Sequence, residues 1–150
     1  MINAKAETLA EKPAFRLAYQ HRRCLIPTSG FYEWHATAHG KQPYYVGMQD
    51  HGLFAFAGLW EYWEGEQIIN SFTLITTVAN KLIADIHERM PVIIDKADFK
   101  TWLDPDNHDI GALNALLIPN EISSLQMYPV STEVNNPHHD KVDLIKPVIQ

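Results

Sequence analysis

The sequence lacks several features that would assign a protein to a class at once. Its 150 residues include one cysteine, Cys24, so an internal disulfide is excluded, which fits a reducing compartment. Its unbroken apolar runs are far shorter than the roughly 20 residues needed to cross a bilayer. No basic segment followed by an apolar run opens the chain, so we expect no secretory signal. These absences favour a cytoplasmic protein with no membrane partner.

Positive charge is also scarce. Lysine and arginine number 12 against 18 aspartates and glutamates, which gives a net charge of -6 at pH 7. Such a chain binds nucleic acid only through a local basic patch. The residues that could form this patch lie early in the chain: Lys12, Arg16, His21, Arg22 and Arg23.

What is present predicts a single domain, residues 1–150, with an α+β fold. Runs of aromatic and β-branched residues predict strands at 24–34, 42–48, 53–63, 68–77, 91–94 and 125–131. The intervening "QDHG" and "EGEQ" are typical of hairpin turns. Helices are predicted at 7–20 with a break near Pro13, and at 78–87, 96–103 and 109–118, with Asp95 and Asp109 as caps. We expect a largely antiparallel sheet, curled toward a barrel, with peripheral helices.

The stretch "CLIPTSGFYEW" places one carboxylate, Glu33, inside an aromatic run. Side chains alternate along a strand, so Phe31 and Glu33 share one face while Tyr32 and Trp34 share the other. Burial of the first face would raise the pKa of Glu33 and make it a proton donor or acceptor near neutral pH. The alternative is a glutamate on an edge strand that faces water.

Other candidates have structural alternatives as well. His87 and Arg89 in "IHERMP" suit acid–base chemistry and phosphate binding, or a helix end and a surface charge. Cys24 could act as a thiol nucleophile with His87, although burial as an inert side chain fits its position better. Trp34, Trp60 and Trp63 could stack on bases, but packing in the core is the default for tryptophans in strands. The histidines, including His35 with His39 and His138 with His139, form no closed ligand set, so neither a metal nor another cofactor is predicted.

Several segments together resemble one family. "RRCLIPTSGFYEW", "PYYV", "FAFAGLWEYW", "SFTLITTVAN", "IHERMPVI" and "YPVSTEVNN" occur in the order typical of the SRAP (SOS response-associated peptidase) family. The resemblance runs from Asn3 to about Lys146. It implies a protein that recognises abasic sites in single-stranded DNA, in the cytoplasm and at the nucleoid. Intact members cross-link to the lesion through a cysteine at position two, whose amine and thiol close a thiazolidine ring on the sugar aldehyde.

The resemblance also implies roles for particular residues. Asn3 corresponds to the asparagine of the family's "N-x-R" stretch, which helps to hold the active site together. Glu33 and His87 correspond to the residues that assist proton transfer. The residues expected to contact DNA are Lys5, Arg16, Trp34, Thr76, Thr77 and Arg89.

The sequence departs from the family at its start, and the departure leaves other functions open. Position two is Ile2, the family's "M-C-G-R" opening is missing, and Cys24 is internal and has no free α-amine. Lys5 replaces an arginine, which keeps the charge but loses the bidentate fork. We therefore expect the assisting residues without the nucleophile, in the later two thirds of a typical member.

Three alternatives remain open. The chain could bind single-stranded DNA without chemistry. It could be a peptidase that uses Cys24 or Ser29 with His87. It could also form a homodimer through an open sheet edge.

Overall fold

A computed structural model describes residues 1–148 and confirms the α+β fold. Its strands are β1 (Asn3–Lys5), β2 (Arg23–Thr28), β3 (Gly30–Thr37), β4 (Gly40–Met48), β5 (Phe54–Glu64), β6 (Ile68–Val78), β7 (Arg89–Pro91), β8 (Ile93–Ile94) and β9 (Leu125–Pro129). The large sheet has the order β1-β6-β5-β2, with β7 paired to β6 and β8 to β5. The small sheet has the order β3-β4-β9. Pairing is antiparallel except between β1 and β6. Over the described residues the two sheets close no barrel, so the predicted curl is not confirmed.

The predicted strand at 24–34 is divided by a corner at Ser29, which carries the chain from the large sheet to the small one. β2 pairs with β5, whereas β3 pairs with β4. At the corner, the Thr28 hydroxyl donates to the Gly30 carbonyl at 2.7 Å and accepts from the Gly30 amide at 3.2 Å. The Tyr45 hydroxyl donates to the Ser29 carbonyl at 2.8 Å. A Cβ at Gly30 would lie 2.3 Å from this ring, so glycine alone fits there.

The two predicted hairpin turns have different outcomes. "EGEQ" joins β5 to β6, which pair as an antiparallel hairpin, so this turn is confirmed. "QDHG" does not join paired strands, because β4 belongs to the small sheet and β5 to the large one. The prediction of a hairpin there was wrong. Strand-like runs separated by a turn do not by themselves reveal that the second run enters another sheet.

Helices lie at the periphery, and one predicted helix is absent. Of the helix predicted at 7–20, only the part from the expected break at Pro13 is α-helical, as α1 (Pro13–His21), and the part before it is a 3₁₀ turn at Ala6–Thr8. α2 is Phe99–Leu103 and α3 is Ile110–Ala115. Both predicted caps are confirmed, since Asp95 accepts from the Ala97 amide and Asp109 from the Ala112 amide. No α-helix of the model among residues 1–148 is long and apolar enough to cross a membrane.

The helix predicted at 78–87 was wrong. β6 continues to Val78, and residues 81–86 form consecutive turns. The Asn80 side chain accepts from the Ile83 amide at 3.2 Å and so caps the first of these turns, while Val78, where the predicted helix would begin, belongs to β6. Arg89 then pairs with Val78 as part of β7, so the chain must reverse within this short segment.

The core has two parts, one on each face of the large sheet. The first lies between that sheet and the helices, and includes Leu59, Ile75, Trp102 and Leu113. The second lies between the two sheets and includes Val46, Phe56, Met90 and Leu125. The molecule is therefore layered as helices, large sheet and small sheet.

Beyond this core, β5 and β6 continue as a two-stranded hairpin that we call the arm, residues 60–72. β2 ends its pairing with β5 at Leu59, and β1 pairs with β6 from Leu74 onward. Every side chain of the arm is exposed except the half-buried Glu61. The Trp60 amide at the base of the arm donates to the Arg22 carbonyl at 2.8 Å, and beyond it no other described strand pairs with either edge of the arm.

A buried arginine links three of the peripheral elements to the large sheet. Arg23 is 7% exposed and stacks on the Trp102 indole at 5.8 Å. Its guanidinium donates to five backbone carbonyls, those of Tyr19, Gln20, Trp102, Asp104 and Asn107. Arg23 thus occupies the space where α1, α2 and the loop after α2 meet β2.

We expect Arg23→Met to lower the free energy of unfolding by about 3 kcal/mol or more, because it leaves buried carbonyls without donors. Urea unfolding would measure the change. The control is Arg16→Met on the exposed side of α1, which should change stability by less than about 0.5 kcal/mol. Equal effects of the two substitutions would contradict this role for Arg23.

Candidate functional site

A cleft of about 440 Å³ lies where the large and small sheets meet. It is lined by Asn3, Ala4, Lys5, Phe31, Tyr32, Glu33, Phe56, Leu74, Thr76, His87, Arg89, Met90 and Pro91. Its floor is largely apolar, and its polar side chains come from β1, β3, β6, β7 and the segment before β7. Asn3, Glu33 and His87, which are far apart in the sequence, therefore meet in one place.

β3 brings Glu33 to the cleft through strand alternation. Phe31, two residues earlier, packs edge-to-face on Phe56 at 5.4 Å across the space between the sheets. Tyr32 and Trp34 pack near each other instead, with ring centroids 6.3 Å apart. The predicted division of the two faces is thus seen in the packing. Phe31 anchors β3 against the large sheet and so fixes the position of the carboxylate.

Glu33 is half-buried, which excludes the alternative of a fully solvated edge glutamate. Burial raises the pKa of its carboxyl group, while the nearby His87 and a backbone hydrogen bond at Trp34 partly oppose the rise. A carboxyl group with a raised pKa can donate a proton and take it back close to neutral pH. Glu33 is therefore suited to acid–base chemistry.

The imidazole of His87 is held in place by its own turn. Its Nδ1 lies 2.8 Å from the Arg89 carbonyl oxygen and 3.1 Å from the Arg89 amide nitrogen. Because Nδ1 is engaged by the backbone, Nε2 is the nitrogen available to a molecule in the cleft. His87 follows a series of turns and does not end a helix, so the helix-dipole alternative does not apply.

Arg89 forms part of the cleft wall, but its charge is already compensated. Its guanidinium donates to both Glu7 carboxylate oxygens, at 2.8 and 3.0 Å, and to the Thr76 carbonyl oxygen at 2.6 Å. This pairing lowers the pKa of Glu7. Thr76 lines the cleft beside Arg89, whereas Thr77 is buried on the opposite face and lies outside the cleft. Of the two threonines, only Thr76 is available to a ligand here.

A second hollow of about 350 Å³ adjoins the cleft and shares Glu33 and His87 with it. Trp34, Lys41 and Asn135 complete its lining. The Trp34 indole nitrogen donates to the Asn135 side-chain oxygen at 2.7 Å, which orients the ring at the rim. Neither Lys41 nor Asn135 was predicted as a site residue. The "VNN" segment drew attention only as part of the resemblance, and no local signal marks Lys41.

Several residues that were expected to contact DNA lie outside the cleft and the adjoining hollow. The early basic cluster is not a patch, because Arg22 is paired with Glu61 and Arg23 is buried. Arg16 is exposed on α1 and outside both hollows. Trp60 and Trp63 are exposed on the arm. The prediction that tryptophans in strands pack in the core was wrong for both.

The candidate nucleophiles of a peptidase do not meet His87. Cys24 lies in β2 among residues that do not line the cleft, and burial raises the pKa of its thiol. A thiol with a raised pKa is a poorer nucleophile at neutral pH because less of it is thiolate. Ser29 is at the corner between the sheets and is also absent from the cleft lining.

The protein is therefore a two-sheet α+β domain whose intersheet cleft carries a carboxyl group and an imidazole, a combination suited to proton transfer. Comparison with known proteins then assigns the family. The model of the SOS response associated peptidase (SRAP) family matches residues 1–137. The chain belongs to the SRAP family.

Curated relatives and solved structures agree with this assignment. Abasic site processing protein YoqW of Bacillus subtilis is 44% identical over 150 residues, which cover 97% of this chain and 66% of YoqW. Abasic site processing protein HMCES of Xenopus tropicalis is 30% identical and is matched over 98% of this chain and 50% of its own length. A crystal structure from Bacteroides thetaiotaomicron superposes with a TM-score of 0.89 at 28% identity, covering 98% of this chain and 66% of that one. The chain thus spans less than two thirds of the length of these relatives.

We expect Glu33→Gln to stabilise the protein near neutral pH. The raised pKa means that the folded state retains a proton which the unfolded chain releases above about 4.5, the ordinary value. The contribution of protonated Glu33 to the free energy of unfolding is fully present below the ordinary pKa. It is lost as the pH rises through the raised pKa of the folded state. Glutamine cannot ionise and avoids the loss. The gain should therefore grow from acidic to neutral pH, which urea unfolding at several pH values would measure.

The matched control is Glu64→Gln at the exposed end of β5. It should show no gain that grows with pH. Parallel stability curves for the wild-type protein and Glu33→Gln would contradict the burial of an ionisable carboxyl group at position 33.

Proposed function

We propose that this domain recognises abasic sites in single-stranded DNA, with the base-free deoxyribose in the cleft between the sheets. The observation that carries the proposal is the convergence of Glu33 and His87 over an apolar floor. A sugar without its base presents a small, partly apolar ring, which suits a cleft of this volume. The SRAP relatives named as abasic site processing proteins support the same ligand. Its place of action would be cytoplasmic DNA, at the nucleoid.

The chemistry of an abasic site explains the proton-transfer groups. The sugar opens to an aldehyde, and attack of an amine on that aldehyde requires proton transfers to and from oxygen. Glu33 has the raised pKa that suits this task, and the Nε2 of His87 is free to assist. Asn3 faces the same cleft and could hold the sugar hydroxyls. In family members that begin with a cysteine, we propose that these groups serve a cross-link formed by that residue. Cys24 cannot form such a link, because an internal cysteine has no free α-amine.

We propose that the DNA strand leaves the cleft through the adjoining hollow. Trp34 at its rim offers a ring on which a neighbouring base can stack. Lys41 in the same hollow and Lys5 in the cleft supply positive charge for phosphates. Arg89 contributes less to phosphate binding while Glu7 holds its guanidinium. The acidic net charge outside these hollows predicts weak, salt-sensitive binding to intact single strands.

The family name also suggests a peptidase, but the geometry of this chain favours no such activity. Neither Cys24 nor Ser29 lies in the cleft with His87. The double substitution Cys24→Ala with Ser29→Ala should therefore leave DNA binding intact.

Binding tests the proposal directly. Fluorescence anisotropy would compare a labelled single strand carrying one tetrahydrofuran abasic analogue with the same strand carrying a base. We expect tighter binding of the abasic strand, and Trp34→Ala should weaken it by about 1–3 kcal/mol through lost stacking. Trp63→Ala on the arm is the control, and it should have no effect. Equal affinity for the two strands would overturn the proposed function.

We also propose that two copies associate through the open edges of the arm. Exposed Trp60, Tyr62, Ile68 and Phe72 on one face, together with unpaired backbone groups, form the surface that strand pairing between copies would cover. Light scattering over a range of protein concentrations should show a rising mass for the wild-type protein. Phe72→Lys should shift this rise to higher concentration. A monomeric mass at all concentrations would contradict the proposed dimer.

A further inference from the structure

We propose that the Lys5 side-chain amine forms a Schiff base with the aldehyde of an abasic site bound in the cleft. The inference rests on the proposed function and adds a covalent step that is carried by this chain's own residues. The observation behind it is that Lys5, whose side chain ends in a primary amine, lines the same cleft as Glu33 and His87.

The pairing register of β1 brings Lys5 to the face of the large sheet that lines the cleft. β1 pairs in parallel with β6, with Lys5 opposite Thr76 and Asn3 opposite Leu74. Ala4 between them is 2% exposed and points into the core on the helix side of the large sheet. Asn3 and Lys5 therefore share the opposite face, and both line the cleft. The residue type matters here, because a lysine can form an imine and an arginine cannot.

The charges around Lys5 leave its amine uncommitted. Glu7 is close enough for the charge of Lys5 to lower its pKa, but both Glu7 carboxylate oxygens accept hydrogen bonds from Arg89. Lys5 forms none of the ion pairs found among residues 1–148. The Glu7–Arg89 pair therefore removes the acidic partner that would otherwise hold the Lys5 ammonium group.

The step balances with the groups in the cleft. The Lys5 ammonium group first releases a proton to solvent, and its amine nitrogen attacks C1′ of the ring-opened sugar. A carbon–nitrogen bond forms, the carbonyl π bond breaks, and a proton moves from the nitrogen to the former aldehyde oxygen. The hydroxyl group of this carbinolamine then leaves as water with a proton from the Glu33 carboxyl group, which gives the protonated imine, an iminium ion. The carboxylate of Glu33 recovers its proton from solvent or from His87. Water reverses the imine, so no adduct should survive heating unless a reductant is added.

Two other amines provide contrasts. Lys41 lines the adjoining hollow, which shares Glu33 and His87 with the cleft but lacks its apolar floor. The terminal amine belongs to Met1, which lines a different hollow together with Phe15 and Leu59 on the helix side of the large sheet. If the cleft selects the amine, Lys5 reacts and these two do not.

The experiment traps the imine with sodium borohydride, which transfers hydride to C1′ and leaves a stable secondary amine. The 150-residue chain is incubated with single-stranded DNA carrying one natural abasic site, and the products are separated on a denaturing gel. We expect a reductant-dependent adduct for the wild-type protein. Lys5→Arg, which keeps the charge, should reduce its yield about tenfold or more, whereas Lys100→Arg, on the exposed side of α2 and outside both hollows, should leave it within about twofold. Mass spectrometry of the digested adduct should identify Lys5 as the modified residue.

A parallel measurement separates this inference from the function on which it rests. The tetrahydrofuran analogue has no aldehyde, so anisotropy of the wild-type protein with it reports recognition alone, and the adduct yields of the variants are compared at protein concentrations that saturate their own binding. An undiminished adduct in Lys5→Arg, or an adduct mapped to Met1 or Lys41, would overturn the role of Lys5. Preferential binding of the analogue without any trapped adduct would also overturn it, while leaving the proposed function in place. Absence of preferential binding would overturn the proposed function and this inference together.

Discussion

The corner at Ser29 is the constraint on which the rest of the structure depends. Thr28 closes the turn, Gly30 leaves room for the Tyr45 ring, and the Tyr45 hydroxyl ties the ring to the Ser29 carbonyl. This corner directs β2 into the large sheet and β3 into the small one. Without it, Phe31 would not reach Phe56 and Glu33 would not face the large sheet. The space between the sheets, and therefore the cleft, follows from a change of direction at three residues.

The cleft illustrates how a site differs from the core beside it. In the core between the sheets, apolar side chains fill the space and stabilise the fold. At the cleft, the same two sheets surround a half-buried carboxyl group whose ionisation costs stability near neutral pH. The ion pair between Arg89 and Glu7 differs from Glu33, because its opposite charges compensate each other and its hydrogen bonds hold the Arg89 side chain at the cleft. The site thus combines one ionisable group whose burial disfavours its charged form with a neighbouring pair whose charges compensate each other.

How far the sequence predicted the structure depended on whether each signal was local. The caps at Asp95 and Asp109, the break near Pro13 and the alternation around Glu33 are local, and the structure confirms them. The division of 24–34 between two sheets, the wrong hairpin at "QDHG" and the absent helix at 78–87 depend on contacts far along the chain. The same holds for the site. The resemblance indicated Asn3, Glu33 and His87. That Thr77, Arg16 and the basic cluster lie outside the cleft could be seen only from the burial and pairing of their side chains. Lys41 and Asn135 have no local signal.

The placement of Asn3 and Lys5 on β1 has a consequence for the motions of the site. β1 has three residues and one neighbour, β6, so few backbone hydrogen bonds hold it. Local opening of such a strand requires much less free energy than unfolding of the layered core. The cleft can therefore lose one wall and regain it while the rest of the domain stays folded. Hydrogen exchange should show faster exchange in β1 than in the centre of β5, and a ligand that contacts both walls should slow the exchange in β1 most.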